Sequence, residues 1–469
     1  MKTTRFCMMT MVMVLTAMTG IMPVSAHAAG RDTTGAQALQ VVDFSGNLVQ
    51  EKIYRYGDGI FELNLELRAA ATGPREPLTE HRVDIVLVLD RSGSMQGRKL
   101  SDAVRAANNL IGLLSQEDRL SLVSYADDVR RHAPLMFLTT QNRSVLRQMV
   151  HDIYAGGATN LGGGLRTGLD TILSEPAGTR IRKVILISDG LANRGIVDPL
   201  ALGRMASIAL EENFSVATVG VGDSFNEQLM AHIADQGAGT YHYLENPDAF
   251  AAVFEHEFMS ARHVAATGLE IHIPKVPGVR LLSAGGFSFK EYPGHYAVYP
   301  GDLLSGRSRK VFLRFQASPV LENAYKLEGI WISYVSKGTF FREPLKKALT
   351  VTCTGDRAAA LSSIHRQTWE DKVIQEDYNR LREAVAADVK AGAEKEALSK
   401  IETYYKEKKR LNQSVQSERV EQNLEEEVDG LKSMVRETFL GAPAAVRQKQ
   451  KTNAKSLQYE GYKERRSKE

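Results

Sequence analysis

Apolar residues follow two different spacings between residues 82 and 258. Runs rich in Val, Ile and Leu occur at 83–90 and 183–190, and a third mostly apolar run, FSVATVGV, occupies 214–221. Such runs are typical of strands buried on both faces of a sheet. The stretches between them, such as 98–115, repeat their apolar residues every three or four positions, which indicates amphipathic helices. Strands that alternate with helices predict an α/β domain with a doubly wound, mostly parallel sheet.

Residues on both sides of this region instead show the two-residue period of half-buried strands. The segments with this period are IFELNLEL at 60–67, LEIHIP at 269–274, KVFLRFQA at 310–317 and GIWISYVS at 329–336. Pro and Gly turns separate them, which is typical of an antiparallel β-sandwich or barrel-like module. The simplest assembly is one β domain, built from residues 29–81 and 265–353, with the α/β domain inserted in its chain. Two separate small β modules are the alternative.

From about residue 357 the pattern changes, because Gly and Pro become rare and charged residues surround a thin apolar stripe. The stripe predicts two or three amphipathic helices within 357–440, with breaks near Gly392 and Asn412. They form either a self-associating coiled coil or a hairpin packed on its own chain, and the irregular register favours the hairpin. Residues 441–469 hold eight Lys or Arg against three Glu, so we expect a basic, disordered tail.

The first residues have the composition of a secretory signal. Lys2 and Arg5 precede an apolar stretch from Phe6 to Val24, and small residues follow up to residue 28. A retained membrane anchor is the alternative, but Thr, Gly and Pro interrupt the stretch. We therefore expect residues 1–28 to be a cleaved signal peptide. Because the sequence shows no hydrophobic C-terminal span, we expect a periplasmic or secreted protein without a transmembrane anchor.

The net charge argues against one class of function, and the cysteine content limits the possible disulfides. The 469-residue chain carries 59 Lys and Arg against 56 Asp and Glu, and removal of the signal makes the balance almost even. This near-neutral charge argues against a dedicated nucleic-acid-binding protein. Cys7 would be lost with the signal, so only Cys353 would remain and an intramolecular disulfide is excluded.

Oxygen-bearing side chains stand where two of the buried strands end. The first run ends in D-R-S-G-S at 90–94, and the second ends in D-G at 189–190. Between them, the glycine-rich loop 155–160 offers the hydroxyl of Thr159 just before a predicted helix. Open α/β sheets bind their ligands beyond the carboxyl ends of the strands, and an all-oxygen site suits Mg²⁺. The alternative is a bare α/β domain in which these hydroxyls only cap helices.

Together, D-x-S-x-S, the threonine of the G-G-A-T-N loop and the later D-G resemble the metal-ion-dependent adhesion site of the von Willebrand factor type A family. The resemblance covers roughly residues 82–258, and the site residues that it implies are Asp90, Ser92, Ser94, Thr159 and Asp189. In the family pattern the three hydroxyls bind the metal, and the two carboxylates bind it directly or through water. The implied ion is Mg²⁺, and Mn²⁺ accepts the same ligands. One open coordination position implies a protein partner that supplies an Asp or Glu side chain.

The order of domains resembles bacterial secreted or periplasmic type A proteins, and more distantly the heavy chains of inter-alpha-trypsin inhibitor. This resemblance implies a metal-dependent protein-binding or adhesion module and not an enzyme. The residues also disfavour a serine hydrolase, because the loops beside Ser92 and Ser94 contain no histidine and no G-x-S-x-G motif occurs. Lys183 begins its strand at the end away from Asp189, which disfavours a phosphatase. The alternative function is a structural scaffold that acts through its C-terminal helices.

Other polar residues near this edge of the sheet have two interpretations each. The loop residues that form either a partner-selecting rim or ordinary exposed loop are Arg91, Met95, Gln96, Asn193 and Arg194. Asp127 and Asp128 are interpreted as a turn pair and not as an accessory cation site. His232 and His242 have no second ligand at metal spacing in the sequence, so we expect surface or packing residues.

Overall fold

The computed structural model describes residues 41–70, 81–176, 178–222, 224–318 and 324–466. The predicted signal at 1–28 lies outside the described residues. Within the described parts of the chain, no helix combines the length and apolar character needed to cross a membrane. The first strands are β1 (Val42–Leu48), β2 (Lys52–Tyr54) and β3 (Ile60–Ala69).

Strands and helices then alternate, as the spacing of apolar residues predicts. In chain order, these elements are β4 (Val83–Asp90), α1 (Arg98–Leu113), β5 (Arg119–Tyr125), β6 (Val129–Phe137), α2 (Thr140–His151), α3 (Leu161–Leu173), β7 (Ile181–Ser188), α4 (Pro199–Ala206), α5 (Ile208–Glu211), β8 (Ser215–Val221), α6 (Glu227–Gln236), β9 (Ala238–Leu244) and α7 (Phe250–Arg262). The sheet has the order β6-β5-β4-β7-β8-β9. All neighbouring strands are parallel except β5 and β6, so the predicted doubly wound, mostly parallel sheet is confirmed.

The register of this sheet fixes where the candidate site lies. Every residue of β4, β7 and β8 is buried, which explains their nearly unbroken runs of apolar residues. The strands β4 and β7 pair directly, with Val88 opposite Leu186, so their carboxyl ends meet at one edge of the sheet. The side chain of Asn160 caps α3 by accepting a hydrogen bond from the N–H of Gly163 at 3.0 Å. The glycine-rich loop lies at the same edge, because the N–H of Gly156 donates to the carbonyl of Arg91 at 2.8 Å and the N–H of Gly93 donates to that of Gly157 at 3.0 Å.

The α/β domain is followed by a second group of strands. In chain order, they are β10 (Val264–Pro274), β11 (Val279–Ala284), β12 (Ser288–Glu291), β13 (His295–Tyr299), β14 (Leu303–Leu304), β15 (Ser308–Ala317), β16 (Ala324–Leu327), β17 (Trp331–Ser336), β18 (Thr339–Pro344) and β19 (Leu349–Thr354). One sheet has the order β1-β3-β15-β11, and β3 pairs antiparallel with β15. Strands that precede and follow the α/β domain in sequence thus form one sheet.

Two further sheets complete this β region. One has the order β12-β13-β10-β17-β18, with β14 also paired to β10. The other has the order β16-β19-β2, in which β19 and β2 are parallel. The apolar residues of the alternating strands face one shared core, which includes Leu63 and Leu65 of β3, Val311 of β15 and Ile332 of β17. The alternating strands bury one face in this core, as the two-residue period predicts.

Helices form the rest of the described chain. The α-helices are α8 (Arg357–Ser362), α9 (Arg366–Asp371), α10 (Tyr378–Ala391), α11 (Glu394–Val415), α12 (Glu418–Gln422), α13 (Asp429–Thr438) and α14 (Pro443–Arg465). One π-helical segment, Lys372–Asp377, joins α9 to α10, and another, Asn423–Val428, joins α12 to α13. Their apolar stripes pack against one another in one cluster. Gly392 ends α10 with a positive φ of 76°, at the predicted break. The break predicted near Asn412 instead falls at Gln416, because Asn412 is buried and its side chain accepts from the N–H of Ser417 at 2.8 Å.

The prediction of a disordered tail was wrong for residues 443–465, which form α14 and pack along α10. The hydroxyl of Tyr462 donates to Oδ1 of Asp235, in α6, at 3.0 Å. The ammonium of Lys455 contacts Oε2 of Glu227, also in α6, at 2.9 Å. A count of residue types did not show these contacts: Leu457 packs among the C-terminal helices, Tyr462 packs against the α/β domain, and Lys455 has a buried acidic partner there. This helix is therefore part of the packed structure.

The pair between Glu227 and Lys455 gives a test of how firmly α14 is held. In Glu227→Gln, Lys455 stays buried without its carboxylate, which should lower the free energy of unfolding by about 3 kcal/mol. Denaturant titration followed by circular dichroism measures this loss. The matched control is Glu255→Gln on the exposed face of α7, which should change stability by less than about 0.5 kcal/mol. Equal stability of the two variants would contradict this role of α14.

Candidate metal centre

Asp90 is the last residue of β4, and its side chain is fully buried. Its Oδ1 accepts a hydrogen bond from the backbone N–H of Ser92 at 2.8 Å, which folds the loop back over the strand end. Its Oδ2 accepts from the hydroxyl of Ser188, the last residue of β7, at 2.9 Å. One carboxylate is thus held by the ends of two adjacent parallel strands.

The two predicted serines and Asp189 form a chain of polar contacts. The Oγ of Ser92 lies 3.1 Å from the Oγ of Ser94. The Oγ of Ser94 donates to Oδ1 of Asp189 at 2.7 Å. Asp189 is fully buried, whereas Ser94 is exposed at the edge of the sheet. The cluster is therefore open to solvent on the side of Ser94.

The glycine-rich loop brings Thr159 to the same place. The N–H of Thr159 donates to Oδ1 of Asn193 at 2.9 Å, and the N–H of Asn193 donates to the carbonyl of Thr159 at 3.2 Å. A Cβ built on Gly190 would lie 3.3 Å from the Oγ of Ser94 and 3.4 Å from the Oγ1 of Thr159. These two hydroxyls therefore stand close beside Gly190. Gly157 in this loop has a φ of +84°, which favours glycine.

Lys99, in the first turn of α1, also reaches the cluster, and sequence reasoning missed it. Its Nζ lies 2.5 Å from Oδ2 of Asp189 and 3.4 Å from the carbonyl of Ser94. The sequence feature that could have identified Lys99 is its position one helical turn after the D-x-S-x-S loop. Ser188 was also missed, although it directly precedes Asp189 and ends the strand. Lys99 contacts the carboxylate of Asp189, and Ser188 donates a hydrogen bond to that of Asp90.

Burial dominates the electrostatics of this edge. It raises the pKa of Asp90 to about 6, although hydrogen bonds from Ser92 and Ser188 oppose the rise and the nearby Asp189 adds to it. Asp189 contacts the ammonium of Lys99, but Asp90 has no cationic partner among the described residues. Two carboxylates and three hydroxyls are oxygen donors of the kind that Mg²⁺ and Mn²⁺ accept. The residues present thus fit a divalent ion.

The predicted rim is only partly exposed. Arg91 and Met95 are buried, so their placement on the rim was wrong, whereas Gln96, Asn193 and Arg194 are exposed. The guanidinium of Arg91 contacts Asp128, and that of Arg194 lies 2.6 Å from Asp127. Each aspartate of the turn therefore has an arginine partner. These contacts agree with the interpretation of Asp127 and Asp128 as a turn pair.

The expectation for His242 was wrong in one respect. This side chain is buried in β9, but its Nε2 lies 2.7 Å from Oε1 of Glu257 and its ring centroid lies 5.7 Å from that of His256. Glu257 and His256 are far from His242 in sequence, so their spacing carried no signal. His232 has no such neighbours among the described metal-ligating groups, and it packs beside Gly203.

Comparison with known proteins shows which families this chain is similar to. Residues 84–256 match the model of the von Willebrand factor type A domain. The chain is 26% identical over 263 residues to an uncharacterized protein of Synechocystis sp., covering 54% of this chain and 61% of that protein. It is 24% identical over 200 residues to human inter-alpha-trypsin inhibitor heavy chain H3, covering 41% of this chain and 22% of that one. The chain thus spans less than two thirds of these curated relatives.

Solved structures share the fold over most of the chain. The von Willebrand factor type A protein from Catenulispora acidiphila has a TM-score of 0.68 at 17% identity, covering 91% of this chain and 98% of that one. The ArnB paralog VWA2 from Sulfolobus acidocaldarius has a TM-score of 0.54 at 15% identity, covering 89% of this chain and 99% of that one. Residues 84–256 thus match the von Willebrand factor type A domain in sequence and share its fold, and domains of this class commonly act in metal-dependent protein interaction.

The contact of Lys99 with Asp189 generates a prediction about metal affinity. Replacement by a neutral side chain of similar length, Lys99→Met, should tighten Mn²⁺ binding about fivefold, because a cation no longer competes for the carboxylate. Titration calorimetry measures the dissociation constant. Lys99→Arg keeps the charge and should bind as the wild type does. Weaker binding in Lys99→Met would show that the ammonium positions Asp189 for the ion and does not compete with it.

Proposed function

We propose that the protein is a divalent-metal-dependent protein-binding module. Asp90, Ser92, Ser94, Thr159 and Asp189 would hold Mg²⁺, or Mn²⁺ in its place, at the carboxyl edge of the sheet. The bound ion would supply a positive charge and an open coordination position at the surface. An Asp or Glu side chain of a partner protein would occupy that position.

One observation carries this proposal. Among the buried Asp and Glu side chains that the structure describes, Asp90 is the one that makes no ion pair. Asp84, in the same strand, shows the usual arrangement, with Arg119 at 2.6 Å and Arg180 at 2.5 Å. A buried carboxylate without a cation is costly, and a bound divalent ion offsets that cost. The open side of the site at Ser94 supports access for such an ion.

Apolar side chains beside the cluster support a protein partner. Leu191 directly follows the D-G turn and is 58% exposed, and Tyr154, just before the glycine-rich loop, is 68% exposed. Exposed apolar groups around a polar centre are typical of interaction surfaces. The arrangement suits a partner that presents one acidic side chain within an apolar surround.

The place of action follows from the sequence of residues 1–28 and the kind of domain. The signal-like composition of that segment supports a periplasmic or secreted protein. The metal-dependent interaction common to this domain class is compatible with either place. The C-terminal helices pack their apolar stripes against one another, and this packing favours the hairpin over self-association.

Thermal unfolding in the presence of Mg²⁺ or Mn²⁺ tests the ion. The ion should raise the midpoint of the wild type in a dose-dependent way, by the equivalent of about 2.7 kcal/mol at one hundred times the dissociation constant. Ser94→Ala removes one ligand at an exposed position, and Asp90→Asn removes a charge with little change in volume. Both should lose most of the shift. Asp170→Asn, on the exposed face of α3, is the matched control and should keep it. Equal shifts in all four proteins would contradict the assignment of the ligands.

Partner capture tests the proposed role of the ion. Immobilised wild-type protein should retain specific proteins from an extract of its own cell envelope, and EDTA should release them. Retention should return with added Mg²⁺, and Ser94→Ala should retain none of the EDTA-sensitive set. A retained set that is identical in Ser94→Ala and insensitive to EDTA would contradict binding through the metal. The test uses the full chain and needs no separate capture experiment with the C-terminal region.

A further inference from the structure

A cavity of about 520 Å³ lies at the amino edge of the same sheet, on the opposite side from Asp90. Lys183 and Ser215, the early residues of β7 and β8, line it. Tyr299 and Arg309 of the β region line it from a second side, and Tyr462 of α14 from a third. Residues from all three regions of the chain therefore line the cavity.

Three metal-ligating side chains meet beside this cavity, and the two histidines among them line it. His242 lies in β9, and His256 and Glu257 are consecutive residues of α7. The Oε1 of Glu257 is 2.7 Å from Nε2 of His242 and 3.7 Å from Nδ1 of His256. The three ligand atoms all lie within 4.8 Å of one another. We propose that His242, His256 and Glu257 bind Zn²⁺, or a similar ion such as Co²⁺, as a second metal site separate from the one at the carboxyl edge.

The separations suit a tetrahedral ion. Ligands about 2.0–2.1 Å from Zn²⁺ in a tetrahedron stand roughly 3.4 Å apart. The two distances from Glu257, 2.7 and 3.7 Å, lie on either side of that value, and the two histidine nitrogens lie within 4.8 Å of each other, so side-chain rotations would bring the three ligands around one ion. Two imidazoles and one carboxylate select Zn²⁺ or Co²⁺, in contrast to the all-oxygen set that suits Mg²⁺. The chemistry of the two sites is thus different.

Lys183 acts on the other oxygen of the carboxylate. Its Nζ lies 2.6 Å from Oε2 of Glu257, which leaves Oε1 directed at the two histidines. Metal ligands are commonly oriented by such outer contacts. The competing account is a purely structural ion pair between Lys183 and Glu257, in which His242 only donates a hydrogen bond.

The cavity gives an ion access to the three ligands and leaves space for a fourth. His242 and His256 both line it, and the side chain of His256 is 61% exposed, which gives an ion a route from solvent. The hydroxyls of Ser215 and Tyr241, two further lining residues, are buried and have no hydrogen-bond partner among the described residues. Buried polar groups normally find a partner, often an ordered water or a ligand. A fourth position on the ion, facing this cavity, would be filled by such a molecule.

Co²⁺ titration followed by visible absorption tests the second site. The experiment uses Asp90→Asn, so that the carboxyl edge does not contribute a bound ion. One equivalent of Co²⁺ should give the strong d–d absorption of a tetrahedral imidazole site, and excess Zn²⁺ but not Mg²⁺ should abolish it. Adding His256→Ala, at an exposed side chain, should remove the band and weaken Zn²⁺ binding at least about tenfold. His151→Ala, at the exposed end of α2, is the matched control and should leave the band unchanged.

The opposite results would overturn the proposal. Absence of the band in the folded Asp90→Asn protein, checked by circular dichroism, would leave the ion pair of Lys183 and Glu257 as the whole role of this cluster. A band that survives His256→Ala would assign the ion to other residues. The outcome is independent of partner binding at the carboxyl edge, because that site is disabled in every protein compared.

Discussion

The parallel pairing of β4 with β7 is the constraint on which the carboxyl edge of the sheet depends. With Val88 opposite Leu186, the two strands end side by side and carry Asp90 and Asp189 into buried positions. The loop after β4 is then tied to these carboxylates by the N–H of Ser92 and the hydroxyl of Ser94, and the hydroxyl of Ser188 ties the end of β7 to Asp90. The loop geometry, the solvent-open hydroxyls and the excess of negative charge all follow from this pairing.

Buried acidic side chains elsewhere show how unusual this edge is. Glu257 has Lys183, Glu227 has Lys455, and Asp377 has both Lys372 and Lys408 within ion-pair distance. Such pairs also connect different regions of the chain, since Lys455 of α14 reaches the α/β domain. At the carboxyl edge, Lys99 is the only cation among the described residues that forms an ion pair with either Asp90 or Asp189. Among the described residues, the fold thus pairs its buried carboxylates with cations except at Asp90, where a divalent ion would complete the balance.

Sequence patterns predicted the sheet well because its strands are buried on both faces, and a continuous apolar run of that length is typical of such strands. The same patterns placed Asp90, Ser92, Ser94, Thr159 and Asp189 at one edge, where the structure brings them together. The patterns failed where the outcome depended on contacts between distant segments. The helix α14 has few apolar residues, but Leu457 and Tyr462 are buried against other regions. Lys99 and the group around His242 were missed for the same reason, since their partners lie in other elements.

Diffraction from crystals grown with Mn²⁺ tests the central claim most directly. The anomalous signal of Mn²⁺ locates the ion without reference to the protein coordinates. We expect a strong peak at the carboxyl edge, within coordination distance of the hydroxyls of Ser92, Ser94 and Thr159 and next to Asp90 and Asp189. A well-ordered carboxyl edge without such a peak, at a Mn²⁺ concentration that stabilises the protein in solution, would contradict it.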